Sequence, residues 1–277
     1  MDNAGIDQQV LSLPPFVSSY DADAEPAWRL ARRMNEALAE AAHSRRFLAF
    51  ASVPLQDPGA ATAELRHCVT TLGMAGVQIL THVQGRNLDD VAFAPFFAAA
   101  SELDVPVLIH PHGPTDSSRL GRYYLVNCLG NPFETAIAAS HLLLGGVLAR
   151  FSNLRVILAH AGGALPYVLG RVRRGMDVVP GAQIGRAAVE ESLPRVYYDT
   201  VLHDPVALRF LINTVGAEQV VVGSDHPFDM GDDDPIATLR SVPLMSDVEL
   251  AAISNNLGPL GRALSTDAPG KSHRRSI

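Results

Sequence analysis

The chain has 277 residues, 47% of them hydrophobic and 18% charged, with 22 Lys and Arg against 29 Asp and Glu for a formal charge of −7. That is enough apolar material for a large buried core, and α/β barrels of this length commonly form one domain. The acidic balance leaves no basic surplus to hold a nucleic-acid backbone, and the longest apolar stretch, 136–151, is too short to span a bilayer and contains His141.

In chain order, short strand-like runs alternate with longer helical ones. A strand is expected at 9–13, then a helix at 27–43 rich in Ala, Leu, Arg and Glu. A strand at 47–53 leads through the turn-like QDPG to a helix at 62–72. Strands at 76–79, 105–109, 155–159, 196–198 and 219–222 come next, with helices at 88–103, 134–150, 165–174 and 205–214 between them. Asp57, Asp89 and Asp204 are expected to act as N-caps or first-turn acids. The runs VPVLI, RVILA and QVVV are continuous rather than alternating, which suits strands buried on both faces of a parallel sheet. The repeated β-then-α order implies an α/β fold with right-handed crossovers. Seven strands is one short of a (β/α)8 TIM barrel. A doubly wound open sheet is the alternative, but the chain has no GxGxxG or GxxxxGK[ST] motif to recommend it. One domain over 1–264 is expected, with the polar, basic end STDAPGKSHRRSI (265–277) fraying.

The N-terminus lacks a basic start followed by an apolar segment, so no secretory signal is visible. Cys68 and Cys128 fit neither a disulfide framework nor a CxxC site. A soluble, cytoplasmic protein is expected.

Three strands end in residues that carry chemistry. VPVLI ends in His110, RVILA in His160, and VVVGS in Asp225. In a barrel, the C-terminal strand ends converge on the face where the βα loops build an active site. Two imidazoles and a carboxylate there suit Zn²⁺ or a similar divalent ion. With ten histidines in the chain, seven strand ends should carry about 0.25 by chance, and two are found. Any one such histidine has a structural role more often than not, but the three ends together favour a functional site. His112 and His226 lie just past strand ends and are expected to hydrogen-bond within their loops. Glu134 is expected as a first-turn helix acid, and Trp28 as helix packing. His82 and Asn87 are candidates to line the pocket. Asp199 and Thr200 end a strand and could either support the site or cap the next helix; capping is the expectation.

The segments IHPHGP, LAHAGGALPYVLGR, YYDT and VVVGSDHPF together resemble the amidohydrolase-related, metal-dependent family that contains aminocarboxymuconate-semialdehyde decarboxylase and the resorcylate-type decarboxylases. VPLQDP, the stretch from GVQIL to LIHP, and the helix leading into RVILAH agree with it, so the resemblance covers most of residues 6–264. It implies a metal-dependent barrel in which His110 and Asp225 hold the metal and His160 exchanges protons beside it. It also implies that Arg171 meets substrate carboxylate, reaching into a neighbouring subunit's site in a homodimer. The plainer alternative for Arg171 is a solvated helix arginine beside Arg173 and Arg174. The implied reaction is decarboxylation of a small unsaturated or aromatic carboxylic acid. Hydrolysis by the same metal site, or a non-catalytic relative that keeps only the scaffold, are the alternatives.

One departure matters. The family's first strand ends in a His-x-His pair supplying two more ligands, whereas the only HxH here is His110-Pro111-His112. The sequence from MDNAGIDQQV resembles the helix and strand that come after that pair in the family. The chain is therefore expected to bind its catalytic metal poorly, to show little activity, and to leave an open barrel seam between 9–13 and 219–222.

Overall fold

Two of the three continuous apolar runs, VPVLI and RVILA, become staves of a curled parallel sheet. The computed structural model describes residues 1–260 apart from 19, 45, 115 and 180–183; the end expected to fray, 265–277, lies outside the described residues. Six strands pair side by side, β1 (Gln9–Leu11), β2 (Phe47–Ser52), β3 (Gly76–Leu80), β6 (Val107–His110), β7 (Val156–Leu158) and β8 (Val196–Tyr198), every pair parallel. A small antiparallel hairpin, β4 (His82–Val83) with β5 (Arg86–Asn87), comes after β3. The crossovers carry the helices α1 (Ala24–Ala41), α2 (Pro58–Thr70), α3 (Ala94–Glu102), α4 (Asn131–Leu144), α5 (Val147–Arg150), α6 (Leu165–Val178), α7 (Arg186–Ser192) and α8 (Pro205–Val215), with α9 (Pro235–Arg240) and α10 (Asp247–Ser254) after them. This is the TIM-barrel-like α/β architecture with one stretch left open.

Alternation along each strand sorts the side chains onto two faces. Ala49, Ala51, Val77, Ile79, Val107, Ile109, Val156, Leu158, Val196 and Tyr198 point outward into the main core beneath the helices. Phe50, Ile157, Leu48, Leu108 and Tyr197 point the other way, into a smaller cluster inside the curl. His110 shares its parity with Leu108 and so belongs to the inner face. Helix α3 brings Phe96 and Phe97, and the turn before it brings Phe93, all essentially without exposure. Full burial of such a side chain contributes about 1.5–3 kcal/mol.

Several expectations are corrected. The run 219–222 forms no strand: only Val220 bridges to Tyr198. The expected helix 134–150 is cut into α4 and α5 at Gly145–Gly146, where Gly146 takes φ +75°. The helix expected at 88–103 begins as a 3-10 turn, Val91–Phe93, and becomes α-helical at Ala94. Its cap is Asp90, which accepts the Ala92 N–H, whereas Asp89 pairs with His141 at 3.0 Å. Asp57 and Asp204 do cap α2 and α8.

Among the described residues β1 pairs only with β2, so the sheet is open between β1 and the Val220 segment. Side chains span part of that gap. Phe16, just past β1, meets Phe228, just past Asp225, edge to face at 6.5 Å. Arg46 ties down the N-terminal segment through Asp2 Oδ1 and the Ile6 and Asp7 carbonyls.

Candidate metal and catalytic site

His110 is the last residue of β6, His160 comes two residues after the end of β7, and Asp225 lies beyond the Val220 bridge. The three therefore sit at the same, C-terminal end of the parallel sheet. Their donor atoms lie within 4.8 Å of one another. His110 Nε2 is 3.6 Å from Asp225 Oδ1 and His160 Nε2 is 3.8 Å from Asp225 Oδ2. The two imidazoles meet edge to face at 5.0 Å. All three side chains are between 13% and 17% exposed, which leaves them reachable from one side.

This donor set fits a divalent ion. The separations are too long for hydrogen bonds, yet close to the roughly 3.3–3.6 Å between neighbouring ligands of a tetrahedral ion with bonds of about 2.0–2.2 Å. His110 Nδ1 lies 2.9 Å from the Pro111 carbonyl, which only accepts, so Nδ1 carries the hydrogen. In the neutral ring this leaves the Nε2 lone pair facing a carboxylate, an arrangement that calls for a cation between them. His160 Nδ1 is buried without a hydrogen-bond partner. Burial works against ionisation of Asp225, but the two imidazoles outweigh it and hold the carboxyl well below the usual carboxylate range. Burial likewise lowers the basicity of His160, while Asp225 and Asp199 more than restore it, so its pKa is raised.

The loop after β7 explains how His160 reaches this position. Residues 160–163 all take positive φ, from 55° to 74°. For His160 and Ala161 that conformation is strained. At Gly163 no other residue fits, because a Cβ there would collide with the Pro132 carbonyl oxygen. Asp225 is also left-handed, at φ 52°. Strained backbone thus sits at two of the three donors.

Asp199 is the residue whose duty the strand-end reading misjudged. It caps no helix. Its carboxylate accepts the backbone N–H groups of His160, Ala161 and Val201. Its neighbour Thr200 bonds to Gly223, two residues before Asp225. The signal was present, since Asp199 ends a strand run just as the three donors do.

His112 and His226 stay outside the cluster; His226 is exposed and 3.7 Å from Asp233. His82 Nδ1 accepts the Gly85 N–H within the β4–β5 hairpin. Glu134 lies in the first turn of α4, as expected. Trp28 donates its indole N–H to buried Glu64. Arg171 is exposed on α6, with no ion pair or hydrogen bond to the donors among the described residues.

A curled parallel sheet with imidazoles and a carboxylate converging at its strand ends defines a barrel-type metal-site protein. The amidohydrolase family profile matches residues 2–253, and the chain belongs to that family. It is 34% identical over 246 residues to the 2-amino-3-carboxymuconate-6-semialdehyde decarboxylase of Dictyostelium discoideum, covering 87% of this chain and 68% of the relative. The crystal structure of 5-carboxyvanillate decarboxylase from Sphingomonas paucimobilis superposes with a TM-score of 0.85 at 29% identity, covering 95% of this chain and 81% of that one. A dihydroxybenzoic acid decarboxylase from Polaromonas, solved with manganese and 2-nitroresorcinol, superposes with a TM-score of 0.82 at 29% identity, covering 91% and 80%.

Proposed function

We propose that this chain is a carbon–carbon lyase that removes CO₂ from a small unsaturated or aromatic carboxylic acid. The observation that carries the reading is the convergence of His110, His160 and Asp225 in a chain whose relatives are decarboxylases. His110 and Asp225 would hold a divalent transition ion, Zn²⁺ or an alternative such as the Mn²⁺ of the Polaromonas structure. Bound there, the ion supplies a Lewis acid that polarises a substrate oxygen. His160 is the proton donor. As the carbon–carboxylate bond breaks, its electron pair stays on the carbon, CO₂ leaves, and the imidazolium proton passes to that carbon. Asp225 faces both imidazoles and favours the protonated form of His160 before transfer.

Arg171 is assigned to carboxylate binding across a homodimer. In support, α6 presents Arg171 one turn beyond Tyr167, which is 82% exposed, and Tyr167 leans on the half-exposed Phe210 at 6.2 Å. A groove lined by Phe133, Ile137, Ala164 and Val168 borders the start of the same helix. Sedimentation at micromolar concentration should give a dimer, and Arg171→Ala should raise KM; a monomer with unchanged KM would remove the assignment. Among the described residues no helix is long and apolar enough to cross a membrane. Both cysteines are free, in keeping with a cytoplasmic setting.

The reaction is tested by offering the chain, in excess Mn²⁺ or Zn²⁺, a dihydroxybenzoate, 5-carboxyvanillate and 2-amino-3-carboxymuconate semialdehyde while measuring CO₂. Slow metal-dependent release from at least one is expected, because among the described residues only His160 joins His110 and Asp225 in the donor group. No metal-dependent release from any would overturn the proposal.

A further inference from the structure

Two of the three donors are joined through a strand end that belongs to neither. Asp199 Oδ2 accepts the His160 N–H at 3.0 Å, and Oδ1 accepts those of Ala161 at 2.7 Å and Val201 at 3.0 Å. The left-handed run at 160–163 turns its first two N–H groups away from the sheet ladder, and successive N–H groups so arranged form a cradle for an anion. Asp199 fills that cradle. Its neighbour holds the other side. Thr200 Oγ1 donates to the Gly223 carbonyl and accepts the Gly223 N–H, both at 3.1 Å. Regular pairing here ends at the Val220 bridge and the Val221 N–H bond to Tyr198. From there to Asp225, among the described residues, Thr200 makes the hydrogen bonds that tie the segment to the end of β8. Gly223 permits it, since a Cβ there would lie 2.8 Å from Asp199 Cβ. Helix α8 does not explain either residue, because its cap is Asp204.

We infer that Asp199 and Thr200 are positioning residues: together they set the His160 imidazole against the Asp225 carboxylate. The inference rests on the reading of those two groups as the working pair. It makes β8, which contributes no donor, the spacer between two that do.

Amide hydrogen exchange of the full-length, metal-free chain tests this directly. Asp199→Ala should speed exchange at His160 and Ala161 by about 10–100-fold, the loss expected for bonds to a charged acceptor. Asp199→Asn should split the pair. Its single carbonyl oxygen can keep Ala161 and Val201 protected, while its amide group leaves the His160 N–H unpaired. Thr200→Val should release the Gly223 amide. Mn²⁺ titration supplies the second readout: Asp199→Ala should weaken affinity about 10–100-fold. Asp204→Ala, which removes the α8 cap, should leave both readouts at wild-type values. Should Asp199→Ala fail to fold, the Asn and Val variants carry the test. Unchanged protection at His160 in both Asp199 variants, or wild-type Mn²⁺ affinity in a folded Asp199→Ala protein, would overturn the inference. An unaltered chain that binds no Mn²⁺ would defeat the metal-dependent reading instead, and the exchange pattern would still decide the role of Asp199.

Discussion

Glu64 offers the sharpest test of how the helical layer is held. Its side chain has no exposure, yet it is charged and meets five donor atoms. Trp28 Nε1 lies at 3.1 Å, Arg32 Nε at 2.9 Å and Nη2 at 2.7 Å, Asn35 Nδ2 at 2.9 Å, and the Cys68 thiol at 3.4 Å. Asn35 also bonds both ways with the Ser52 backbone, which links the cluster to the end of β2. Glu64→Gln removes the charge and turns an N–H₂ group toward these donors. Breaking a buried pair costs about 3–5 kcal/mol. Arg32 is 28% exposed and regains water on losing its partner, so the lower end, about 3 kcal/mol, is expected. At roughly 2–4 °C per kcal/mol for a chain near this size, Tm should fall by roughly 6–12 °C. The loss should also depend on pH. Burial alone would raise the Glu64 carboxyl, but Arg32 and Asn35 outweigh it and hold its pKa below the ordinary value. A carboxyl lowered on folding contributes its stability above the unfolded pKa, about 4.3, and loses it as pH falls through the folded value. Urea unfolding of both proteins between neutral and acid pH measures this. A difference under about 1 kcal/mol at pH 7, or one that grows as the pH falls, would refute the reasoning.

His110→Ala and Asp225→Ala should each abolish the weak Mn²⁺ binding expected of this chain in equilibrium dialysis, since either change leaves too few donors to hold an ion; retained metal would show that these residues do not hold it. His160→Ala should lower kcat by about 10²–10⁴-fold while reducing metal content less, as expected of a proton donor; complete metal loss with activity rescued by excess Zn²⁺ would instead make it a ligand. Gly163→Ala combines a clash with the Pro132 carbonyl and a left-handed φ, and should destabilise by about 2–5 kcal/mol in urea unfolding. Gly170→Ala, with open space around it on exposed α6, should stabilise by up to about 1 kcal/mol; equal effects at the two glycines would contradict the geometry described for the His160 turn.

Much of this fold was legible because it depends on local signals. All six sheet strands were marked within about two residues, and two of the three continuous apolar runs, VPVLI and RVILA, became β6 and β7, because strands covered on both faces leave no room for polar alternation. The same runs marked where chemistry would sit: a parallel sheet aligns all its C-terminal strand ends, so His110, His160 and Asp225 could be grouped from sequence alone. The expectations that failed depended on neighbours distant in the chain. The run at 219–222 has a strand's composition, but its pairing is limited to one bridge beside β8. Asp89 looked like a cap until folding brought His141 beside it and left the cap to Asp90. Glu64 carries no signal of its own in the sequence, and only the packing of α1 against α2 surrounds it with donors. Asp199 has the composition of a helix cap. Its acceptance of two N–H groups from a turn about forty residues earlier results from the adjacency of β7 and β8 and the left-handed path at 160–163. Sequence alone determined where the six sheet strands lie, because burial and backbone preference act within a few residues; tertiary structure alone decided which carboxylate faces which partner, because that choice depends on distances set by the whole sheet.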